Sequence, residues 1–518
     1  MVKILIGNVT SRIIGQLPEE VHEALDKRLS YTPKDVRHIT SVKEGKWDGR
    51  FRLYKKAYGQ FFDTGLMSLV TKTLDEHKIE YRKSDDRVRP AVNLPHLHFN
   101  PGPNYEERDY QQFTIERAYQ RTRGMLKVAT GGGKTSIVSE LIGKIQTAPF
   151  MFYVLTKDLM EQAHDALSTT LNEPIGRIGG GKWDIQKINV CTIQTAIRSI
   201  NLENKKFKIS DYQFDEEDLW DKKDVESEDK LRTLKQLLNA TKGLYFDESH
   251  HAACRTVTDV LRASPNAFWR YGGSATPYRE DGAEIVLQAL FGRKIVDINA
   301  SYLIDHGYLI EPYIFFEPIH HNCNLHSFQS IYSECVTKND DFNLHVADTA
   351  NFLVEHGLST LILVQHIHHG KFLQQHIPGS VLVTGKVSNK QRAAAIQDLR
   401  DKKKLCMIAT CLADEGLDIP TLDAALLAGG GASATRVHQR IGRTLRKDRR
   451  SANPRDRSIV VYYRHYVKYL EEHALKAARI IREEPRFNMI KSKGKDHILG
   501  EISKVMNLDY HQKTIFDL

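Results

Sequence analysis

The sequence predicts an α/β protein with two tandem, helix-covered parallel sheets behind a small N-terminal α/β unit. Three observations predict it. From about residue 105, short apolar runs alternate with helical patterns, as parallel strands joined by helical crossovers do. A second series of the same kind begins near residue 345. Between the first run and first helix of the earlier series lies Gly131-Gly132-Gly133-Lys134-Thr135. A strand, glycine loop and helix in that order is how such sheets cradle a phosphate. At 518 residues the chain is too long for one core.

Residues 1–95 read as the small domain, with strands at 3–6 and 51–54 and a helix at 65–78. Its segment 36–58 holds seven basic residues against two acids. Lys46, Trp47, Arg50 and Arg52 interleave charge with an aromatic ring, which suits clamping of a nucleic-acid backbone. The bland alternative makes Trp47 a core residue and the charges a solvated face. Pro90, Pro95, Pro101 and Pro103 mark a linker, placed at 96–104. The first sheet domain, 105–300, is expected to have strands at 125–129, 151–155, 189–192, 243–246 and 269–272. A charged stretch, 201–242, interrupts it; residues 211–230 carry ten acids against three lysines and read as a solvated, partly helical excursion. Residues 301–344 read as a connector. The second sheet domain, 345–480, is expected to have strands at 360–364, 380–383, 405–409, 424–427 and 458–463. The tail, 481–518, is basic and mixed.

Composition narrows the setting. The net charge is +9 and 41% of residues are hydrophobic, as in a water-soluble globular protein. No apolar run approaches a membrane span, so no membrane partner is expected. The apolar start is too short and too soon polar for a secretory signal. Six cysteines form no C-x-x-C pair, so zinc and disulfides are not expected, and a cytoplasmic setting fits. The clusters His320-His321 and His366/His368/His369 lack acidic or cysteine partners at ligand spacing and read as surface or packing residues.

Two motifs carry chemistry. In the glycine loop, backbone N–H groups turn toward an anion, Lys134 reaches the β/γ-phosphates and the Thr135 hydroxyl binds Mg²⁺. Val128 stands where the general pattern G-x-x-x-x-G-K-[ST] has its first glycine. Further on, an apolar strand ends in Asp247-Glu248-Ser249-His250. An acid at the end of a neighbouring strand, Asp247, holds Mg²⁺, and Glu248 orients and deprotonates the attacking water.

Asp247-Glu248-Ser249-His250 resembles the D-E-x-H box of superfamily 2 helicases, and further motifs of that family follow in order across roughly 105–470. Arg108-Asp109-Tyr110-Gln111 is similar to the element whose glutamine reads adenine. Thr156-Lys157 through Gln162, the glycines 179–181, and Thr192-Ile193-Gln194-Thr195 resemble strand-contacting motifs. Ser274-Ala275-Thr276 resembles motif III, and Thr384-Gly385 a backbone-contacting turn. Thr410 and Glu415-Gly416-Leu417-Asp418 resemble motif V, with Asp418 facing the ribose. Gln439-Arg440-Ile441-Gly442-Arg443-Thr444-Leu445-Arg446 resembles motif VI, whose arginines Arg443 and Arg446, three apart on a helix, would stabilise charge on the γ-phosphate by a factor on the order of 10³–10⁵. Arg279-Glu280-Asp281 resembles a strand-separating triplet of XPB-like helicases, and 45–54 is similar to the small domain of UvsW-type helicases. The resemblance implies two RecA-like lobes, ATP and Mg²⁺ as cofactors, and a helicase or translocase acting on forked, branched or duplex DNA through backbone contacts.

Three alternatives stand beside that expectation. An RNA helicase keeps the chemistry and changes the strand. A restriction-type translocase moves on duplex without separating it. A scaffold with a dead motor is disfavoured, because every catalytic carboxylate and arginine is present.

Overall fold

A computed structural model of the chain describes residues 1–33, 36, 40–103, 105–202, 226–275, 282–410, 422–429, 440–446 and 455–508. It divides into two compact units, Met1–Val128 with Gly133–Asp297, and Ala129–Gly132 with Ile298–Leu518.

The first unit carries two sheets and a hairpin. In the N-terminal domain, strands Val2–Ile6 and Thr10–Ile14 are central to a five-stranded sheet, and helices Glu19–Arg28 and Met67–Glu76 cover it. The apolar run at 51–54 is divided between two sheets. Phe51–Arg52 pairs with Ser30–Tyr31, and Tyr54–Lys55 pairs with Phe61–Asp63. The N-terminal domain is seated directly on the next sheet. Arg262 donates to both oxygens of the buried Asp63 at 2.8 and 3.0 Å, and Gln288 Nε2 donates to Ser68 Oγ. Gly65 lies so close that a Cβ there would come within 2.0 Å of the Gln288 carbonyl.

That next sheet has eight strands in the order Lys182–Asp184, Ile175–Gly179, Ile188–Thr192, Phe150–Val154, Gly243–Asp247, Trp269–Ser274, Arg123–Val128 and Lys294–Ile298. Five match the sequence expectation closely. Their interiors are apolar on both sides, Phe150–Val154 being buried throughout, as strands covered by helices on both faces are. Ile175–Gly179 was not anticipated, because Gly176 and Gly179 break its apolar pattern. Both are required: a Cβ would meet Asn189 Oδ1 at 2.1 Å or Thr192 Oγ1 at 2.2 Å. Within the charged stretch, helix Glu228–Ala240 anchors Leu234 and Leu238 in the core, so this part is packed rather than a solvated excursion; residues 203–225 lie outside the described residues.

The second unit carries an all-parallel, seven-stranded sheet, ordered Val381–Val383, Cys406–Thr410, Thr360–Val364, Ala424–Leu427, Arg457–Tyr466, Glu311–His320 and Asn488–Lys491. Two segments behave differently from their sequence reading. The connector at 301–344 supplies Glu311–His320, a full ten-residue strand. The tail supplies Asn488–Lys491 and helix Lys495–Met506, whose Ile498 and Ile502 enter the core. Among the described residues, no helix is long and apolar enough to cross a membrane.

Candidate nucleotide site

The site begins where strand Arg123–Val128 ends and helix Lys134–Ile145 starts. Gly131 and Gly133 have φ of +82° and +76°, a region that costs any residue with a Cβ. Gly133 is the cap before the helix, and Lys134 and Thr135 are its first two residues. The helix therefore presents its unpaired N–H groups and dipole at the loop, as an anion site requires. Gln111, on helix Asp109–Arg121, is buried against this loop. Its Nε2 is so near that a Cβ on Gly133 would lie 2.4 Å away. Its Oε1 accepts from the Tyr105 hydroxyl at 2.9 Å.

The acids arrive from strand Gly243–Asp247, which is separated from Arg123–Val128 by Trp269–Ser274. All three run parallel, so their carboxyl ends share one edge, where open α/β sheets bind ligands. Close packing there depends on Gly273, since a Cβ would overlap the Tyr245 hydroxyl at 1.8 Å. Tyr245 donates to Asp247 Oδ1 at 3.3 Å. Glu248 takes a left-handed φ of +52°, unusual for a side-chain-bearing residue, just where the strand turns. Its Oε1 lies 3.6 Å from Lys134 Nζ, and its Oε2 lies 3.3 Å from His250 Nδ1. His250 Nδ1 is also 3.1 Å from Ser274 Oγ. A polar chain thus runs from Lys134 through Glu248 and His250 to Ser274.

Two acids adjoin one ammonium, and that imbalance shapes their protonation. Burial and the neighbouring Glu248 charge push the Asp247 carboxyl up, against the opposing pull of Lys134. Burial opposes ionisation of Glu248 too, but Lys134 and then His250 outweigh it and hold that carboxyl low. A divalent cation at Asp247 would relieve the excess negative charge, so this donor set fits Mg²⁺.

The remaining sequence candidates divide by placement. Thr156 caps helix Lys157–Thr170 by accepting from the Leu159 N–H, a contact that stabilises by about 0.5–2 kcal/mol. Lys157 is exposed, with its stem against Gly180, and Gln162 is exposed on the same helix. The glycines 179–181 all have positive φ. Thr192 and Gln194 are buried: Thr192 bonds Thr195, and the Gln194 amide donates to the Leu155 carbonyl. Both therefore brace the loops rather than face solvent. In the second unit, Thr384 is buried and accepts from the Lys386 N–H, Gly385 is exposed, and Thr410 is buried at its strand end. The motif VI helix, described over 440–444, carries Arg443. Arg446 lies beyond it, in a bridge with Leu309, because the chain turns at Leu445. One helix therefore does not hold both arginines. Thr276, Arg279, Glu280, Asp281, Gly416, Asp418 and Gln439 lie outside the described residues.

In the N-terminal domain the basic segment is largely engaged. Arg52 pairs with Asp26 at 3.1 Å and with Asp48, Arg50 donates to Ser30 Oγ at 2.6 Å, and Lys46 pairs with Glu44 at 2.7 Å. Trp47 packs edge-on to Phe51 and donates its indole N–H to the Arg50 carbonyl. Of the histidine clusters, His369 is fully buried, and His321 Nε2 lies 2.7 Å from His465 Nδ1; among the described residues no group of three potential ligands could hold a metal. Tyr105 and Tyr245 were not singled out in the sequence. Nothing but their spacing from Gln111 and Asp247 marked them.

A family profile described as type III restriction enzyme, res subunit, matches residues 104–279, and one described as helicase conserved C-terminal domain matches 345–448. A putative helicase 22 from Sulfolobus islandicus filamentous virus is 27% identical over 371 residues, 66% of this chain and 62% of that protein. The chain thus spans about three-fifths of that relative's length. The DNA 3′-5′ translocase XPB2 of Sulfurisphaera tokodaii is 24% identical over 449 residues, 79% of this chain and 91% of that protein. Among solved structures, the type ISP restriction-modification enzyme LlaBIII bound to DNA superposes with a TM-score of 0.52 at 12% identity, covering 78% of this chain and 32% of that one. That likeness is one of fold.

Proposed function

The chain belongs to the superfamily 2 helicases and resembles their UvsW-type and XPB-like members, and on that premise we propose that it is an ATP-hydrolysing motor that unwinds or branch-migrates forked and junction DNA in recombination, repair or replication. The observation that carries the reading is the polar chain Lys134–Glu248–His250–Ser274 at the carboxyl edge of the first sheet. It joins a phosphate-reaching lysine, a water-activating carboxylate and the motif III serine in one hydrogen-bonded line. A change in the nucleotide's charge at Lys134 therefore alters the partners of Ser274 through two short steps.

In this reading the N–H groups of Gly131, Gly132 and Gly133 and the Lys134 ammonium hold the phosphates. Asp247 and the Thr135 hydroxyl hold Mg²⁺, which supplies charge neutralisation on the phosphates. Glu248, kept ionised by Lys134, takes a proton from the attacking water. Gln439, Arg443 and Arg446 stabilise charge on the γ-phosphate, Gln111 reads the base, and Gly416 and Asp418 face the ribose. Thr156, Lys157, Gln162, the Arg279–Asp281 triplet, Thr384 and Gly385 attend the DNA backbone, and binding is accordingly insensitive to sequence.

ATP turnover should be compared with fork, four-way junction, single strand, plain duplex and RNA in parallel. Fork or junction DNA is expected to stimulate most. Stronger stimulation by RNA would replace the substrate assignment, and duplex-only stimulation without strand displacement would make the chain a translocase. Glu248→Gln should lower turnover by about 10²–10⁴-fold while ATP still binds. Unchanged turnover would overturn the mechanism.

A further inference from the structure

The segment between the N-terminal domain and Gln111 is fastened to the first unit along its length. The Arg87 guanidinium lies 5.0 Å over the Phe268 ring, and Arg89 lies over Trp269 and Tyr119 at 5.1 and 5.2 Å. Asn93 exchanges two hydrogen bonds with the Ala148 backbone, at 2.8 and 2.9 Å. Leu94 and Leu97 are buried, and Phe99 forms a bridge with Leu171. The Phe99 ring then packs edge-on to Tyr105, with centroids 5.3 Å apart and planes at 82°. The strap ends with the Tyr105 hydroxyl donating to Gln111 Oε1.

A glutamine amide has two unlike ends of almost the same shape, one accepting and one donating. Read by its edge, adenine offers an exocyclic donor where guanine offers an acceptor. Which base a buried glutamine selects therefore depends on which way its amide is turned. Here both ends are spoken for by unlike neighbours: a hydroxyl donor at Oε1 and the Gly133 backbone against Nε2. The carbonyl keeps a second lone pair for a ligand.

We propose that Tyr105 is a positioning residue that fixes the amide orientation of Gln111 and thereby sets selectivity for adenine over guanine nucleotides. The inference rests on the motor reading above. Burial pushes the Tyr105 hydroxyl up to about 12, so it remains a donor across the neutral range. Tyr105→Phe keeps the ring and its packing on Phe99 while removing the donor, after which the amide is free to turn. The strap makes the arrangement indirect but rigid, so loosening it upstream gives a weaker version of the same effect.

The test is displacement of a fluorescent ATP analogue from the full chain, with Mg²⁺, by ATP and by GTP. In Tyr105→Phe the ATP-over-GTP preference should narrow about three- to tenfold, the range of one lost hydrogen bond, chiefly through weaker ATP. Phe99→Ala should narrow it less. In turnover, KM for ATP should rise with little loss of kcat. A preserved preference in Tyr105→Phe, or equal weakening of both nucleotides, would overturn the positioning role alone. A wild-type chain that binds no nucleotide would instead overturn the motor reading, and the inference with it.

Discussion

The nucleotide site and the basic segment of the N-terminal domain are both rich in charge, yet they treat it in opposite ways. Around the site, Asp247 and Glu248 share the Lys134 ammonium, so negative charge is left over and protonation shifts in response. Along 44–52 each named cation already has a neighbour: Arg52 has Asp48 and Asp26, Lys46 has Glu44, and Arg50 has Ser30. An unbalanced cluster invites a ligand, whereas a balanced one must be opened first. The sequence excess of positive charge at 36–58 therefore overstates what the folded segment offers a phosphate backbone, because part of its compensation comes from acids such as Asp26 and Glu19 outside that window.

The largest effect that could break this contrast is at Gly133. Gly133→Ala places a methyl in a left-handed conformation and within 2.4 Å of Gln111 Nε2. Relieving both should weaken ATP binding by roughly 10–100-fold, an energy of about 1–3 kcal/mol, measured by titration of the fluorescent analogue. Unaltered affinity would mean that the loop is not held as described. A smaller effect sharpens the other side. Asp48→Asn removes one of the two acids on Arg52 and should raise affinity for a DNA fork about two- to fivefold at low salt, with a steeper salt dependence. No change would show that Arg52 never meets the strand. The smallest effect concerns pH. Hydrogen bonds from Arg52, and then from the Arg50 N–H, hold the Asp48 carboxyl down to about 2, below its ordinary 3.8. A depressed carboxyl contributes fully above its unfolded value and is lost only as pH falls through about 2. The affinity ratio of Asp48→Asn to wild type should therefore stay constant, within about twofold, from pH 7 to pH 5; a ratio that collapses toward one at pH 5 would show the pair opening early.

Legibility in the sequence followed local pattern. Strands such as Thr360–Val364 and Ala424–Leu427 are short apolar runs between turn signals, and their limits can be read directly. Lys134, Asp247 and Glu248 stand out because glycines and an apolar strand frame them. Glu311–His320 defied the same reading. Pro312 and Pro318 remove two ladder donors and argue against a strand paired on both sides, yet Arg457–Tyr466 and Asn488–Lys491 flank it. Ten-residue pairing and buried Phe315 and Phe316 outweigh the missing N–H groups. Ionic partners were equally hidden: Asp26 lies 26 residues from Arg52, and Asp63 lies 199 from Arg262, separations that no sequence window joins. Tyr105 escaped notice because a hydroxyl six positions before a glutamine has no pattern of its own.

The order of strands in the second sheet also has a history in time. Glu311–His320 is the earliest of the seven in the chain, yet its two neighbours are the last to be made. While the ribosome adds the residues between 320 and 457, at roughly 5–20 per second, that strand waits about ten to thirty seconds with both edges bare. Its two prolines, awkward in the finished sheet, leave gaps in the row of donors along those bare edges, a feature that discourages pairing with a stranger. What weakens the ladder in the mature protein thus guards the nascent one until Arg457–Tyr466 and Asn488–Lys491 emerge.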